Sequence, residues 1–340
     1  ATSSVLKLAS GLWADRALRK KPLVLLGYGI SSAVRPLMAV TMAPWHVLCV
    51  RAVDRVGKGI RTSPRDVLLS SAVPAAEAGR AFGYQRALDH AGAVVGPLAA
   101  TLLLSLHWTL REVFAAAVVP GILSVLCLML VRERAAAPRP EAPVLPLAAA
   151  PSQRLSGRLR AYLGIVAIFA LSNSSDAFLL VRAGELGVSV AALPLLWMAF
   201  HVVKVVSAYG FGALSDRMSR PALLGLGWLT YIVSYLLFAL ATEAWQVWAL
   251  FALYGTYYGL TEPVERALVK DLAPRASQGR AFGYFNLISG LSAIPAGLLT
   301  GYLWQSFSPQ LALRVGAGLA AVASLLLVLW SRGFQPAPAP

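Results

Sequence analysis

Cysteine is scarce: Cys49 and Cys127 are the only two in 340 residues. Both fall inside apolar stretches, which excludes a disulfide framework. Histidine is scarce too, with four copies, and His201 has no cysteine or second histidine at ligand spacing, so no metal site is expected. There is no phosphate-binding loop and no nucleophile motif. These absences argue against an enzyme and against a bound cofactor. Charge is also thin, at 13% of residues where a soluble domain carries about 25%. Acidic residues are the rarer sign, 15 against 30 basic. Alternating segments of about ten residues, the mark of membrane barrel strands, are absent.

What fills the chain instead is apolar helix-forming sequence, with 58% hydrophobic residues. Runs such as Val113 to Val131, Leu223 to Leu240 and Leu311 to Trp330 are each near the roughly 20 residues that cross a bilayer. Ten complete spans are expected, at 22–42, 44–73, 80–106, 112–131, 159–183, 190–213, 221–241, 244–270, 279–306 and 310–331, with a partial span over 3–13. A Pro- and Ala-rich linker over 135–157 divides an N-terminal bundle, 1–134, from a C-terminal bundle, 158–333.

The net charge of +15 collects in alternate loops and is not a nucleic-acid signal. Basic loops stay cytoplasmic, which predicts a multi-pass protein of the cell inner membrane with loops 14–21, 132–158, 214–220 and 271–279 on the cytoplasmic side.

The chain also repeats itself. Gly79-Arg80-Ala81-Phe82-Gly83-Tyr84 returns letter for letter 200 residues later, at Gly279 to Tyr284. Upstream of each copy stands a second signature. Gly11, Asp15, Arg16 and Arg19 in the first half match Gly212, Asp216, Arg217 and Arg220 in the second. Asp15 and Asp216 are placed to cap helix N-termini, where negative charge is favoured. Topology-setting positive charge is the plainer reading of the arginines.

These features resemble the major facilitator superfamily, in the manner of its drug or solute:proton antiporters. The two Asp-Arg signatures match that family's loops between helices 2 and 3 and between helices 8 and 9. Arg51 with Gly57 and Gly59 resembles its helix-4 motif. Gly92-Ala93-Val94-Val95-Gly96-Pro97 resembles the helix-5 motif associated with proton-driven exporters. The resemblance implies an all-α membrane protein of twelve helices in two six-helix bundles. It also implies a latch at Gly11, Asp15, Arg16, Arg19, Gly212, Asp216, Arg217 and Arg220. About 57 residues precede the signature aspartate in the second half and only 14 in the first. This predicts that helix 1 and part of helix 2 are absent from this chain.

Three stretches carry polar chemistry inside spans. Arg51, Asp54, Arg55 and Lys58 follow helical spacing, so their charges share a face that cannot point at lipid. That face is either a cavity wall that attracts anions or a structural network in which Asp54 pairs with Lys58. Tyr254, Tyr258, Thr261 and Glu265 line one helix face, with Tyr257 and Glu262 beside it; this suits an organic ligand or plain helix packing. Asn173, Ser174, Ser175 and Asp176 interrupt an apolar run, and touch either substrate or a neighbouring helix. The substrate cavity is expected to comprise Arg51, Asp54, Arg55, Lys58, Asn173, Ser175, Asp176, Tyr254, Tyr257, Tyr258 and Glu262. Asp54, Asp89 and Asp176 are the candidates for proton coupling.

The function expected is secondary active transport of a small organic solute by alternating access, with proton-coupled export. Solute–proton uptake and a non-transporting membrane sensor or scaffold are the alternatives. The partners are a small-molecule substrate, protons and the lipid bilayer, with no nucleic acid, and the chain is expected to be monomeric.

Overall fold

The computed structural model describes residues 2–133 and 155–332. They are helical, with no strand among them. The helices are α1 (Thr2–Arg16), α2 (Lys21–Val34), α3 (Pro44–Ala72), α4 (Ala78–Ser105), α5 (Leu110–Ala116) and α6 (Val118–Leu130). After the gap come α7 (Gly157–Ser172), α8 (Asp176–Glu185), α9 (Leu193–Leu214) and α10 (Arg220–Leu240). The last three are α11 (Ala244–Leu272), α12 (Gln278–Ser306) and α13 (Pro309–Ser331). The expected linker, 135–157, lies outside the described residues except for its last three positions.

Each expected span coincides with a helix or with two helices in tandem. Eight segments among the described residues are long and apolar enough to cross a membrane. α3 and α11 are not among the eight: α3 carries charges along its length, and α11 mixes tyrosines, tryptophans and other polar residues into its uncharged first part before the charges that begin at Glu262. α6 is almost wholly apolar and buries none of its residues in the protein, as expected of a helix whose partner is lipid.

The ends and breaks follow local chemistry. Thr109 and Glu112 form a reciprocal capping box that starts α5. Ser308 starts α13 by accepting the Leu311 N–H at 3.1 Å. α2 ends at Val34 and tightens into a 3-10 turn over Arg35–Val40, with Pro36, whose fixed φ suits a helical start, in its first turn. α7 and α8 are one span broken at Asn173-Ser174-Ser175. Ser175 caps α8 by accepting the Ala177 N–H at 3.3 Å. Four prolines lie inside helices: Pro64 and Pro263 in α3 and α11, Pro97 and Pro295 in α4 and α12. The members of each pair lie within two residues of the 200-residue offset, so the internal repeat is followed closely at these positions too.

The helices gather into two compact units that do not follow the two halves of the sequence. Among the described residues, the first comprises 2–72, 99–133, 155–159 and 272–287; the second comprises 73–98, 160–271 and 288–332. In the first unit α2 packs on α3, where Gly27 and Gly57 let the two backbones touch. In the second, a dense aromatic core forms around Trp228, which stacks on Phe169 with ring centroids 4.3 Å apart, and around Tyr231 stacked on Tyr235 at 4.1 Å.

Candidate functional site

The second unit contains a cleft of about 340 Å³ at the break between α7 and α8. The broken helix is what opens it. Asn173, Ser174 and Ser175 leave the helical path there, and Asp176 starts the next helix. α11 supplies the facing wall with Tyr257, Tyr258, Glu262 and Glu265. A larger groove, about 500 Å³, runs between α10 and α13, but no ionisable side chain lines it.

Asp176 is the best-held group at the cleft. Its Oδ1 accepts hydrogen bonds from the hydroxyls of Tyr254 and Tyr258, each at 2.8 Å. Its Oδ2 lies 3.7 Å from the Nζ of Lys204, a buried residue of α9. The Lys204 ammonium sits 3.3 Å from the centroid of the Tyr258 ring and 3.9 Å from that of Phe200. A buried cation thus has a carboxylate on one side and two aromatic faces on the others, the arrangement in which cation–π attraction is strongest. Asn173 donates through Nδ2 to the Tyr257 hydroxyl at 3.1 Å. Its Oδ1 is buried and accepts no hydrogen bond. Tyr254 is fully buried and stacks on Phe200, so its hydroxyl holds Asp176 from behind the cleft wall.

Glu262 is compensated from α4. His90 donates through Nε2 to its Oε2 at 3.0 Å, and the Arg86 Nε lies 3.8 Å from the same oxygen. Arg86 also pairs with Asp89 at 3.3 Å, and Gln85 donates to Asp89. The His90 ring meets His201 edge-on, with centroids 5.5 Å apart. His201 in turn donates through Nδ1 to the Trp197 carbonyl at 3.0 Å. Arg266 turns back to the Glu262 carbonyl at 2.9 Å. Glu265 lines the cleft and makes no ion pair among the described residues.

The residues expected to share one cavity divide between the units. Asn173, Ser175, Asp176, Tyr254, Tyr257, Tyr258 and Glu262 come together in the second. Arg51, Asp54, Arg55 and Lys58 belong to the first, where the two arginines and Lys58 are exposed and Asp54 is buried. Asp54 pairs with Arg35 at 2.9 Å, not with Lys58. Arg35 opens the 3-10 turn that follows α2. Arg35 is the one charged residue within its span, and that isolation was the signal available in the sequence.

The repeated loop signatures meet each other. In the first unit, Asp15 accepts the backbone N–H groups of Gly279 at 2.7 Å and Arg280 at 2.8 Å. In the second unit, Asp216 accepts those of Gly79 at 2.7 Å and Arg80 at 2.8 Å. Each aspartate caps the helix that carries the other repeated motif. Gly11 and Gly212 are required at these crossings. A Cβ on Gly11 would run into the Gly279 carbonyl, and one on Gly212 into the backbone of Gly79 and Gly83.

The copies differ in their last arginine. Arg220 is buried and binds Asp216 at 3.0 Å, Asp271 and the Ala75 carbonyl at 3.2 Å. Its counterpart Arg19 is exposed, as are Arg16 and Arg217. Near Arg19, Glu133 accepts the backbone N–H groups of Lys20 at 2.8 Å and Lys21 at 3.0 Å and so caps α2. Sequence reasoning did not single out Glu133, a lone acid between two arginines.

Comparison with known proteins agrees with this architecture. The family model described as Major Facilitator Superfamily matches residues 1–181 and again 161–340. An uncharacterized MFS-type transporter of Methanocaldococcus jannaschii is 32% identical over 333 residues, which cover 96% of this chain and 82% of that protein. The Escherichia coli fucose:proton symporter superposes with a TM-score of 0.74 at 14% identity, over 97% of this chain and 88% of that one. The human organic anion transporter MFSD10 superposes with a TM-score of 0.73, also at 14% identity, over 96% of this chain and 81% of that one. At such identities the two structures speak to the fold alone.

Proposed function

Because the chain belongs to the Major Facilitator Superfamily, we propose that it is a secondary active transporter of a small organic solute. In this reading it works by alternating access in the cell inner membrane, as a monomer within a twelve-helix architecture, and exports its solute in exchange for protons. The observation that carries the reading is the setting of Asp176: a carboxylate, two tyrosine hydroxyls and a buried lysine at the break of a membrane helix, opening on a cleft. Transporters bind their solutes at such interrupted helices near the bilayer midplane. Charged groups inside a span are costly to keep, at about 2.5–3.5 kcal/mol each at the bilayer centre on insertion scales. A membrane scaffold has no use for them.

Export is favoured by the likeness of Gly92 to Pro97 to the exporter motif. Gly92 and Gly96 meet no neighbour within 4 Å, which leaves that face of α4 open for a sliding contact. Proton coupling is assigned to Asp54, Asp89 or Asp176. The Asp-Arg loops act as the latch of one conformation and lie on the cytoplasmic side.

The test is transport by purified protein in proteoliposomes that carry an internal pH-sensitive dye. A panel of small organic solutes is added under an imposed pH gradient. Solute-dependent proton flux that is lost in Asp176→Asn supports the reading, and the sign of the flux separates export from uptake. A panel that moves no proton and no labelled solute, with correctly inserted protein, sinks it.

A further inference from the structure

The charges that line the cleft are of one sign. Asp176, Glu262 and Glu265 face it, and no lysine, arginine or histidine does. Two of the three carboxylates are balanced from behind the wall, Asp176 by Lys204 and Glu262 by Arg86 with a hydrogen bond from His90. Glu265 has no ion pair among the described residues, although Arg266 follows it on the charged half of α11. A carboxylate that lines a cleft inside a span without an ion pair of its own calls for a cation or a proton.

Two further features point the same way. The buried Oδ1 of Asn173 is an acceptor without a donor, in the wall of the same cleft. An unmet buried acceptor costs about 1–3 kcal/mol, and a ligand N–H removes that cost. Lys204 shows what this part of the protein does with an ammonium. Its Nζ is seated between a carboxylate and the faces of Tyr258 and Phe200. Tyr258 lines the cleft, and Tyr257 and Phe169 offer further aromatic surface there.

We propose that the cleft binds a protonated amine carried on an apolar or aromatic body, with Glu265 as its counter-ion, Asn173 Oδ1 as an acceptor for its N–H, and the α11 tyrosines around its body. The volume of about 340 Å³ admits a solute of one or two rings. This assignment rests on the cleft being the solute site. It adds the chemical class and the residue that reads it.

The experiment uses the purified full chain in detergent and a series of ω-phenylalkylamines, with the ω-phenylalkanoates and ω-phenylalkanols of equal chain length. These probes share one body and differ in charge. Calorimetry at neutral pH should show saturable binding of the amines, with the matched acids and alcohols at least about tenfold weaker, a difference worth about 1.4 kcal/mol. Glu265→Gln should weaken the amines by about the same factor, and Asn173→Ala by less.

If Glu265→Gln does not fold, wild-type protein answers the question. A hydrophobic carbodiimide should label Glu265, as read by peptide mass spectrometry, and bound amine should protect it. Acids that bind tighter than amines, amine affinity unchanged in a folded Glu265→Gln, or labelling that no amine reduces would each overturn the proposal. Acid binding that still depends on Asn173 and Tyr257 would do so while keeping the cleft as the solute site. Binding that responds to none of Asn173, Tyr257 and Glu265 would remove both readings.

Discussion

Asp216 accepts the backbone N–H of Gly79 at 2.7 Å, although 137 residues of chain separate them. Asp15 does the same to Gly279 at the same distance. One rule explains both contacts. The first turn of a helix presents unpaired N–H groups and a positive end, and a carboxylate from another helix satisfies them. Because both the donor motif and the acceptor motif are duplicated, the internal repeat makes the pairing reciprocal.

Replacing either aspartate with asparagine keeps the shape and removes the charge. The expected cost is about 0.5–2 kcal/mol, the range for loss of a helix cap. Asp216→Asn should cost more than Asp15→Asn, because Arg220 is buried and loses one of its two carboxylate partners. Thermal unfolding of the two variants in the same detergent checks the order. If the aspartates also latch one conformation, Asp216→Asn will shift spin-label distances measured between the two bundles. An unchanged distance distribution would leave them as caps only.

The glycines at these crossings give a steric prediction. Gly79→Ala places a methyl group against the Gly212 carbonyl and the Ser215 side chain, and Gly11→Ala places one against the Gly279 carbonyl. Backbone cannot yield as a side-chain tip does, so each variant should lose about 1–3 kcal/mol, as for overpacking elsewhere. Gly92→Ala and Gly96→Ala meet open space and should leave the melting temperature nearly unchanged. Equal melting shifts in all four variants would refute the account.

Lys204 and Asp176 form a buried pair, so removing one partner strands the other. Lys204→Met should destabilise by about 3–5 kcal/mol, and adding Asp176→Asn should recover a large part of the loss. A double-mutant cycle on the purified protein measures this coupling. Simple additivity would mean that the 3.7 Å separation carries no useful attraction.

Much of this architecture was legible in the sequence because the membrane simplifies the code. A run such as Leu311 to Trp330 has one stable form in lipid, a helix, so composition alone locates α13. The charged stretches 44–72 and 244–272 were legible for another reason, the 200-residue repeat, which pairs them even where apolarity fails. Side-chain partners were a different matter. Asp54 had Lys58 one helical turn away, and spacing favoured that pair; the partner is Arg35, delivered by a turn in another segment. His90 and Glu262 are 172 residues apart, and nothing local announces their bond. Periodicity assigns a residue to a face of its own helix, but it does not say which helix that face meets.

The last prediction concerns how a proton gradient is tied to transport. A carboxylate inside a span must be paired or protonated, and the three coupling candidates differ in how they meet that demand. Asp176 is fixed by two tyrosines and Lys204, so losing its charge dismantles the cleft wall. Asp89 is half exposed and shares Arg86 with Glu262. Asp54 is buried and has one ion-pair partner among the described residues, the half-exposed Arg35. Protonating Asp54 therefore frees a single arginine between α2 and α3 with little else disturbed, which suits a switch. Asp54→Asn should abolish gradient-driven transport in proteoliposomes and keep counterflow, in which solute exchanges for solute without net proton movement. Asp176→Asn should lose both activities together with ligand binding, and Asp89→Asn should change the rate modestly. If all three variants keep wild-type gradient-driven transport, none of them carries the proton. The coupling would then pass to Glu262 or Glu265, the two carboxylates of α11 that also line the cleft.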